Sequence, residues 1–441
     1  MTVREPFALT HATLVTGDAD GTVLPDRTVV VGSTGHIERV EASSEVSVPP
    51  ECRTIDSSGR YVVPGLINAH AHLFADGRPL PSVLLNRNAA ELVSTFTRSP
   101  VGHRFVKQRA KSNVITQLLS GVTTLRSLGD VGYEVVAVGR EIARGEYLGP
   151  RVIASGPLHA ISGGHGAPQI ALVSDSPRQA RHNVRHAIRH GVSATKIAAT
   201  GGVTDSRAIG EAGRPQMTEE EMSAICEEAH KAGILVAAHA QSSEGIAAAL
   251  RAGVDTIEHG AAMTPEMVDL FHRNPRSLHG SSSLVPTLQA CLPLVKLDGK
   301  VTGTNDIVRE NAATILREML QGIREAREHG ITIGMGTDSG LSHVTHYNTW
   351  RELDYLTRYG GLSSAAALHA ATQANATLLG IADVTGSVDP GKSADLVVLD
   401  ANPLEGFRAF TSPTLVIVGG AVINAPTVTR HTDIDARLDG I

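Results

Sequence analysis

Aromatic residues are scarce: Phe, Trp and Tyr together make up 3% of the chain, with a single Trp. A binding pocket built mainly of stacked rings is therefore not expected. Cysteine is scarcer still. Cys52, Cys226 and Cys291 are widely scattered, which fits neither a disulfide framework nor a CxxC metal site and points to a reducing compartment. No segment approaches the roughly 20 apolar residues of a membrane span. The opening stretch MTVREPFALTHATLV lacks an apolar core behind a basic start, so no secretion signal and a cytoplasmic location are expected. Basic residues form no long run and the formal net charge is −6, so nucleic-acid binding has no electrostatic footprint.

What is present suffices for a large fold. The 441 residues are 41% hydrophobic, enough for a barrel-sized core plus a smaller module. The first sixty residues read as β: FALTHATLVTG, RTVVVG and HIERVEA are short β-branched runs between turn signals. From about Gly386 that texture returns in ADLVVLD and TLVIVGGAVI. Between them, short apolar runs alternate with helical segments, the signature of βα units around a parallel sheet.

Eight strands are expected in this central part: 65–72, 121–127, 150–156, 194–200, 234–240, 255–260, 283–289 and 331–338. The clearest helix is TEEEMSAICEEAHKAG, 218–233. Thr218 and Glu221 form a capping box, Met222, Ile225, Cys226 and Ala229 share a face, and Gly233 closes the end. Eight strand–helix units predict an α/β fold, a (β/α)₈ TIM-like barrel over 63–383. The ends, 1–62 and 384–441, are expected to meet as one small β-sandwich. The Gly-rich loop GGVTDSRAIGEAGRPQM, 201–217, reads as a βα loop at the catalytic face, either a substrate lid or a plain surface connection.

Polar residues mark the carboxyl ends of the expected strands. PGLINAHAHL places His70 and His72 two apart, on one side of the first strand. Lys196 ends the fourth, His239 the fifth, His259 the sixth and Asp338 the eighth. In a barrel these ends converge on one mouth. Four imidazoles and a carboxylate suit Zn²⁺, Mn²⁺, Co²⁺ or Fe²⁺ better than Mg²⁺ or Ca²⁺. Lys196 stands in an apolar strand, where desolvation favours the neutral amine. A neutral amine adds CO₂ to give a carbamate able to bridge two cations roughly 3.5–4 Å apart. Each residue has an ordinary alternative: a chance HxH, a snorkelling Lys196, a core His259, an Asp338 that caps the next helix. With 20 histidines some coincidence is expected, but six matches in strand order are hard to obtain by chance.

The chain resembles the amidohydrolase superfamily, metal-dependent hydrolases on a (β/α)₈ barrel. The pattern of HxH, a carboxylated Lys, His, His and Asp on strands one, four, five, six and eight falls on His70, His72, Lys196, His239, His259 and Asp338. The phrases GVTTLRSLGD, GGHG, ATGGV, AGVDTIEHG and GTDSG narrow the likeness to a subgroup with Xaa-Pro dipeptidases and related amide and carbamate hydrolases. Some imidazolonepropionases are similar too.

This resemblance implies two divalent ions, zinc first, and a carbamate on Lys196. The substrate would be a small amide or dipeptide, and the protein a homo-oligomer. His70, His72 and Asp338 would hold the more buried ion, and His239 and His259 the more exposed one. A bridging hydroxide would attack the carbonyl, with Asp338 passing its proton to the leaving nitrogen.

One departure stands out. Several of those dipeptidases have Tyr where HAQSSEG has Gln241, and an amide lacks the phenol's acidity and reach. His165, in GGHG, is the leading candidate for substrate contact, with Gln241, Arg207 and His343 beside it and His159 and His346 on similar loops. Two rival functions stay open. One is an imidazolonepropionase, against which Lys196 argues because those resemble mononuclear members. The other is a non-catalytic scaffold, against which the intact ligand set argues.

Overall fold

A computed structural model of the chain describes residues 4–79, 93–167 and 169–441. The expected barrel range 63–383 therefore includes two stretches, 80–92 and 168, that lie outside the described residues.

The N-terminal β-branched runs form β1 (Phe7–Val15), β2 (Val23–Val31), β3 (Ile37–Ala42), β4 (Arg53–Asp56) and β5 (Tyr61–Pro64). Parallel strands follow: β6 (Leu66–Ala71), β7 (Val122–Ser127), β8 (Arg151–Ala154), β9 (Leu158–Ala160), β10 (Ala171–Val173), β11 (Thr195–Ala198), β12 (Val236–Ala240), β13 (Thr256–His259) and β14 (Ser283–Val285). The chain returns with β15 (Leu396–Leu399), β16 (Leu415–Val418) and β17 (Ala421–Asn424).

The two ends of the chain do meet. They form one eight-stranded sheet in the order β17-β16-β15-β5-β1-β2-β3, with β4 beside β1. The seam is the antiparallel pair β5–β15, from Leu396 opposite Pro64 to Leu399 opposite Tyr61. Phe7, Leu9, Leu14, Val29, Val31, Val62, Leu396, Val398 and Ile417 fill its own core. The hydrogen bonding runs continuously through all eight strands. The end of the chain does not stay with this sheet. After β17 the chain forms the helix Thr432–Leu438, whose Ile434 and Leu438 join the main core, and Arg351 reaches Asp439 at 2.6 Å.

The parallel strands form a three-stranded sheet, β6-β7-β8, and a six-stranded one, β10-β9-β11-β12-β13-β14. Backbone bonds join their borders: Ser193 and Ala194 donate to Ala154, and beyond β14 Leu284 donates to Thr332. The expected eighth strand, 331–338, takes an isolated bridge at Ile333 to Leu284, another just beyond it at Ser339 to Ala71, and backbone bonds to Ala69 and His70 of β6. Asp338 is left-handed at φ 57°, and Gly336 lies so close to β6 that a Cβ there would sit 2.5 Å from His70 Cβ. The expected strand 283–289 also stops early, because Thr287 leads into the helix Leu288–Lys296. Glu352 accepts from the Leu288 and Gln289 amides at 2.7 and 2.8 Å and so caps that helix from a distant element.

Helices cover the outer faces of these sheets. Val236, Ala238 and Ile257 pack outward against helical residues such as Ile225, Ile246 and Leu250. Period-two alternation then turns Ala237, His239, Thr256 and Glu258 the other way. The helix Glu219–Lys231 has the expected capping box between Thr218 and Glu221, and Gly233 takes φ 68° just beyond its end. Among the described residues, no helix is long and apolar enough to cross a membrane.

Candidate metal centre

The carboxyl ends of the parallel strands bring His70, His72, Lys196, His239, His259 and Asp338 to the lining of one cavity of about 420 Å³. Asn68 and His70 alternate along β6 with Ile67, Ala69 and Ala71, and His72 follows directly after its end, two residues beyond His70. The Nε2 atoms of His70 and His72 approach Asp338 Oδ1 at 3.3 and 3.0 Å. Neither approach is aligned as a hydrogen bond, and Oδ1 is buried without a partner. The ligand atoms of this trio all lie within 4.8 Å of one another. Opposite them, His239 Nδ1 and His259 Nε2 are 2.9 Å apart.

The partners of these rings settle which nitrogens face the cavity. A carbonyl only accepts, so His72 Nδ1 donates to Gly129 O (3.1 Å) and His239 Nε2 donates to Gly201 O (3.3 Å). Their other nitrogens, His72 Nε2 and His239 Nδ1, thereby keep their lone pairs as acceptors. His70 Nδ1 faces Glu258 Oε2 at 2.8 Å, and His259 Nδ1 faces Thr287 Oγ1 at 2.7 Å. Glu258 is itself held by the fully buried Arg126 at 2.9 Å and by Thr256 at 2.6 Å. Arg126 also donates to Ala69 O at 2.7 Å, which ties β7 to β6 beside the histidines. A carboxylate behind a histidine fixes its ring and raises its basicity as a ligand.

Burial sets the charge states. It drives His70 down to about 4, with Lys196 adding to the effect, and takes His239 and His259 well below the usual imidazole range. Burial pushes the other way on Asp338, but His70, His72 and His259 outweigh it and hold the carboxyl far below the ordinary range. Burial lowers Lys196 to about 8, against the pull of Glu258 and Asp338. Its Nζ is buried with no hydrogen-bond partner. Burial thus disfavours protonation of His70, His239, His259 and Lys196, while Asp338 is drawn toward its ionised form, the states that bind a divalent cation. Two of the groups are strained as well: His259 and Asp338 adopt left-handed φ of 72° and 57°. Such strain gathers at functional sites.

Against this geometry, the amidohydrolase family model matches residues 61–423. The chain belongs to the amidohydrolase family. Similar proteins match most of the chain. A crystal structure of a putative prolidase from Bifidobacterium longum is 50% identical, with a TM-score of 0.88 and 99% of each chain covered. A structure of a Xaa-Pro dipeptidase with bound methionine in the active site is 28% identical, with a TM-score of 0.80, covering 95% of this chain and 100% of that one. Ochratoxinase from Aspergillus niger is 27% identical over 421 residues, 87% of this chain and 81% of its own.

The expected substrate contacts are divided by the structure. His165 lines the cavity, stacks on His239 with ring centroids 4.1 Å apart, and is held by Asp205 Oδ2 at 2.9 Å. Gln241 lines it too. Arg207 is exposed and is not in the lining. His343 is buried outside the lining, at φ 66°, beside Ser342. His159 is buried within β9, and His346 is fixed between Gln117 and Ala75 O. The loop 201–217 is tied down: Asn311 Oδ1 accepts from Gly210 and Ala212, and Thr200 bridges to Pro215.

Glu258, Arg126, Thr287 and Asp205 escaped the sequence reading. For the first two a signal existed: one acidic and one basic residue stand inside apolar strand phrases, DTIEHG and GVTTLRS, where an unpaired charge would be costly.

Proposed function

We propose that this amidohydrolase cleaves a C–N bond of a small amide, peptide-like or carbamate substrate with two divalent metal ions, zinc first among Mn, Co and Fe. His70, His72 and Asp338 would hold one ion, and His239 and His259 the other. Lys196, carboxylated by CO₂, would contribute oxygens to both. The observation that carries this reading is the Lys196 amine, buried without a partner in the cavity that the four imidazoles line. An ammonium there would be unsatisfied, whereas a carbamate would spread one negative charge over two oxygens, each able to meet a cation. In this reading the parallel strands form a closed (β/α)₈ barrel over 63–383, and 1–62 and 384–441 build the smaller module around β5 and β15.

The bound cations would acidify a water and polarise the scissile carbonyl. The chain's own groups do the rest. Asp338, ionised beside His70 and His72, takes a proton from the attacking water and gives it to the departing nitrogen. The water's oxygen forms the new bond to carbon as the C–N bond breaks, and the amine leaves neutral. Glu258 keeps His70 in one tautomer throughout. His165, braced by Asp205, borders the substrate space.

The test is metal analysis combined with hydrolysis. Protein prepared with Zn²⁺ and bicarbonate should hold two ions per chain and release amine from a panel of dipeptides, N-acyl amino acids, aryl amides and carbamates. One ion per chain at saturation, or no amine from any substrate class, would overturn the proposal.

A further inference from the structure

We propose that the substrate is a secondary amide or carbamate bearing a bulky apolar substituent, and that Gln241 selects it by accepting a substrate N–H. The inference rests on the hydrolase reading and narrows its substrate. Gln241 stands two residues beyond His239, just past the end of β12, and its side chain lines the cavity. The residue is 5% exposed, and its Oε1 is buried with no hydrogen-bond partner. Its backbone amide donates to Thr200 Oγ1 at 3.2 Å, so the side chain hangs from a fixed point.

A buried acceptor without a donor is unfavourable. The neighbouring polar groups do not supply one: His165 is turned to Asp205 through Nδ1, and the His239 Nε2–H is given to Gly201 O. What fills the cavity is left to provide it. Much of the remaining wall is apolar, with Phe74, Leu158, Ile170, Val203, Leu294 and Leu341 facing the space. Such a wall favours an apolar substituent, and the few polar groups set orientation. A secondary amide or carbamate carries an N–H next to its scissile carbonyl. A tertiary amide of the proline type carries none. The acceptor that orients the first is left unpaired by the second, and sites built to bond a substrate N–H discriminate strongly against analogues that lack it.

The experiment compares N-benzoyl-leucine with its N-methyl counterpart and with N-benzoylproline, on zinc-loaded wild-type protein and on Gln241→Met. Met keeps the length of the side chain and removes the acceptor. Gln241→Leu serves as a second variant, and thermal unfolding confirms that each folds. Wild type should favour the secondary amide at least about tenfold in kcat/KM. Gln241→Met should lower kcat/KM for that substrate by about 10- to 100-fold, and for the two tertiary amides by no more than about threefold. An equal fall on all three substrates, or a wild-type preference for the tertiary amides, overturns the inference while leaving the hydrolase reading intact. Failure of the wild type on all three and on the wider panel would remove both.

Discussion

Glu258→Gln is the most informative single change, because one fully buried carboxylate serves three donors. It accepts from Arg126 at 2.9 Å and from Thr256 at 2.6 Å through Oε1, and from His70 at 2.8 Å through Oε2. Glutamine keeps the shape but has only one acceptor oxygen, so its NH₂ must face either His70 Nδ1–H or the Arg126 and Thr256 donors. It also leaves the Arg126 guanidinium, itself fully buried, without a countercharge. Breaking a buried ion pair by removing one partner costs about 3–5 kcal/mol. Loss of the carboxylate behind His70 should weaken metal binding by about 10–100-fold. Urea unfolding of metal-free protein reads the first effect, and zinc titration against a competing chelator reads the second. The double variant Arg126→Met with Glu258→Leu should recover much of the lost stability, because an apolar pair of similar volume leaves no charge uncompensated. A fall below about 1 kcal/mol in Glu258→Gln, with zinc affinity unchanged, would show that the pair neither anchors the strands nor orients His70.

Four further outcomes are expected. Asp338→Asn should keep the fold yet lose nearly all hydrolysis, and a rate within tenfold of wild type on a confirmed substrate would remove Asp338 from proton transfer. Lys196→Met should reduce bound metal to one ion or fewer per chain, as read by elemental analysis. In metal-free wild type the Lys196 amine has a folded value of about 8 against 10.5 unfolded, so between those values the unfolded chain binds the extra proton. Stability should therefore rise with pH across that window, by about 3 kcal/mol relative to Lys196→Met, and a flat difference would contradict it. Thr218→Ala should cost about 1 kcal/mol through loss of the capping box, with activity unchanged.

The sequence carried the site better than its surroundings. Strand alternation and strand-end position were enough to single out the two histidines of HAH, Lys196, His239, His259 and Asp338, and the structure gathers all six at one cavity. Their roles remain proposals. Less visible was whatever depends on distant partners. The Arg126–Glu258 pair joins residues 132 positions apart, and no local pattern announces that they meet. The helix start at Leu288 is capped by Glu352, so the apolar run 283–289 looks like one strand when read alone. The stretch 331–338 has the composition of a strand, but it takes an isolated bridge to Leu284 and turns left-handed at Asp338. Arg207 sits on a loop whose path is set by Asn311 on another helix, and loop position alone did not reveal that its side chain stays outside the lining.

The left-handed backbone at His259 and Asp338 constrains any attempt to retune the metals. Histidine, aspartate and asparagine enter that region more readily than other residues with a Cβ, while bulky or β-branched side chains resist it. A redesign that exchanges these donors for longer or softer ones would meet conformational resistance before coordination chemistry had any say. His70, His72 and His239 do not have positive φ. Changes of metal preference are more accessible at those three positions, where the main chain leaves the choice of side chain free.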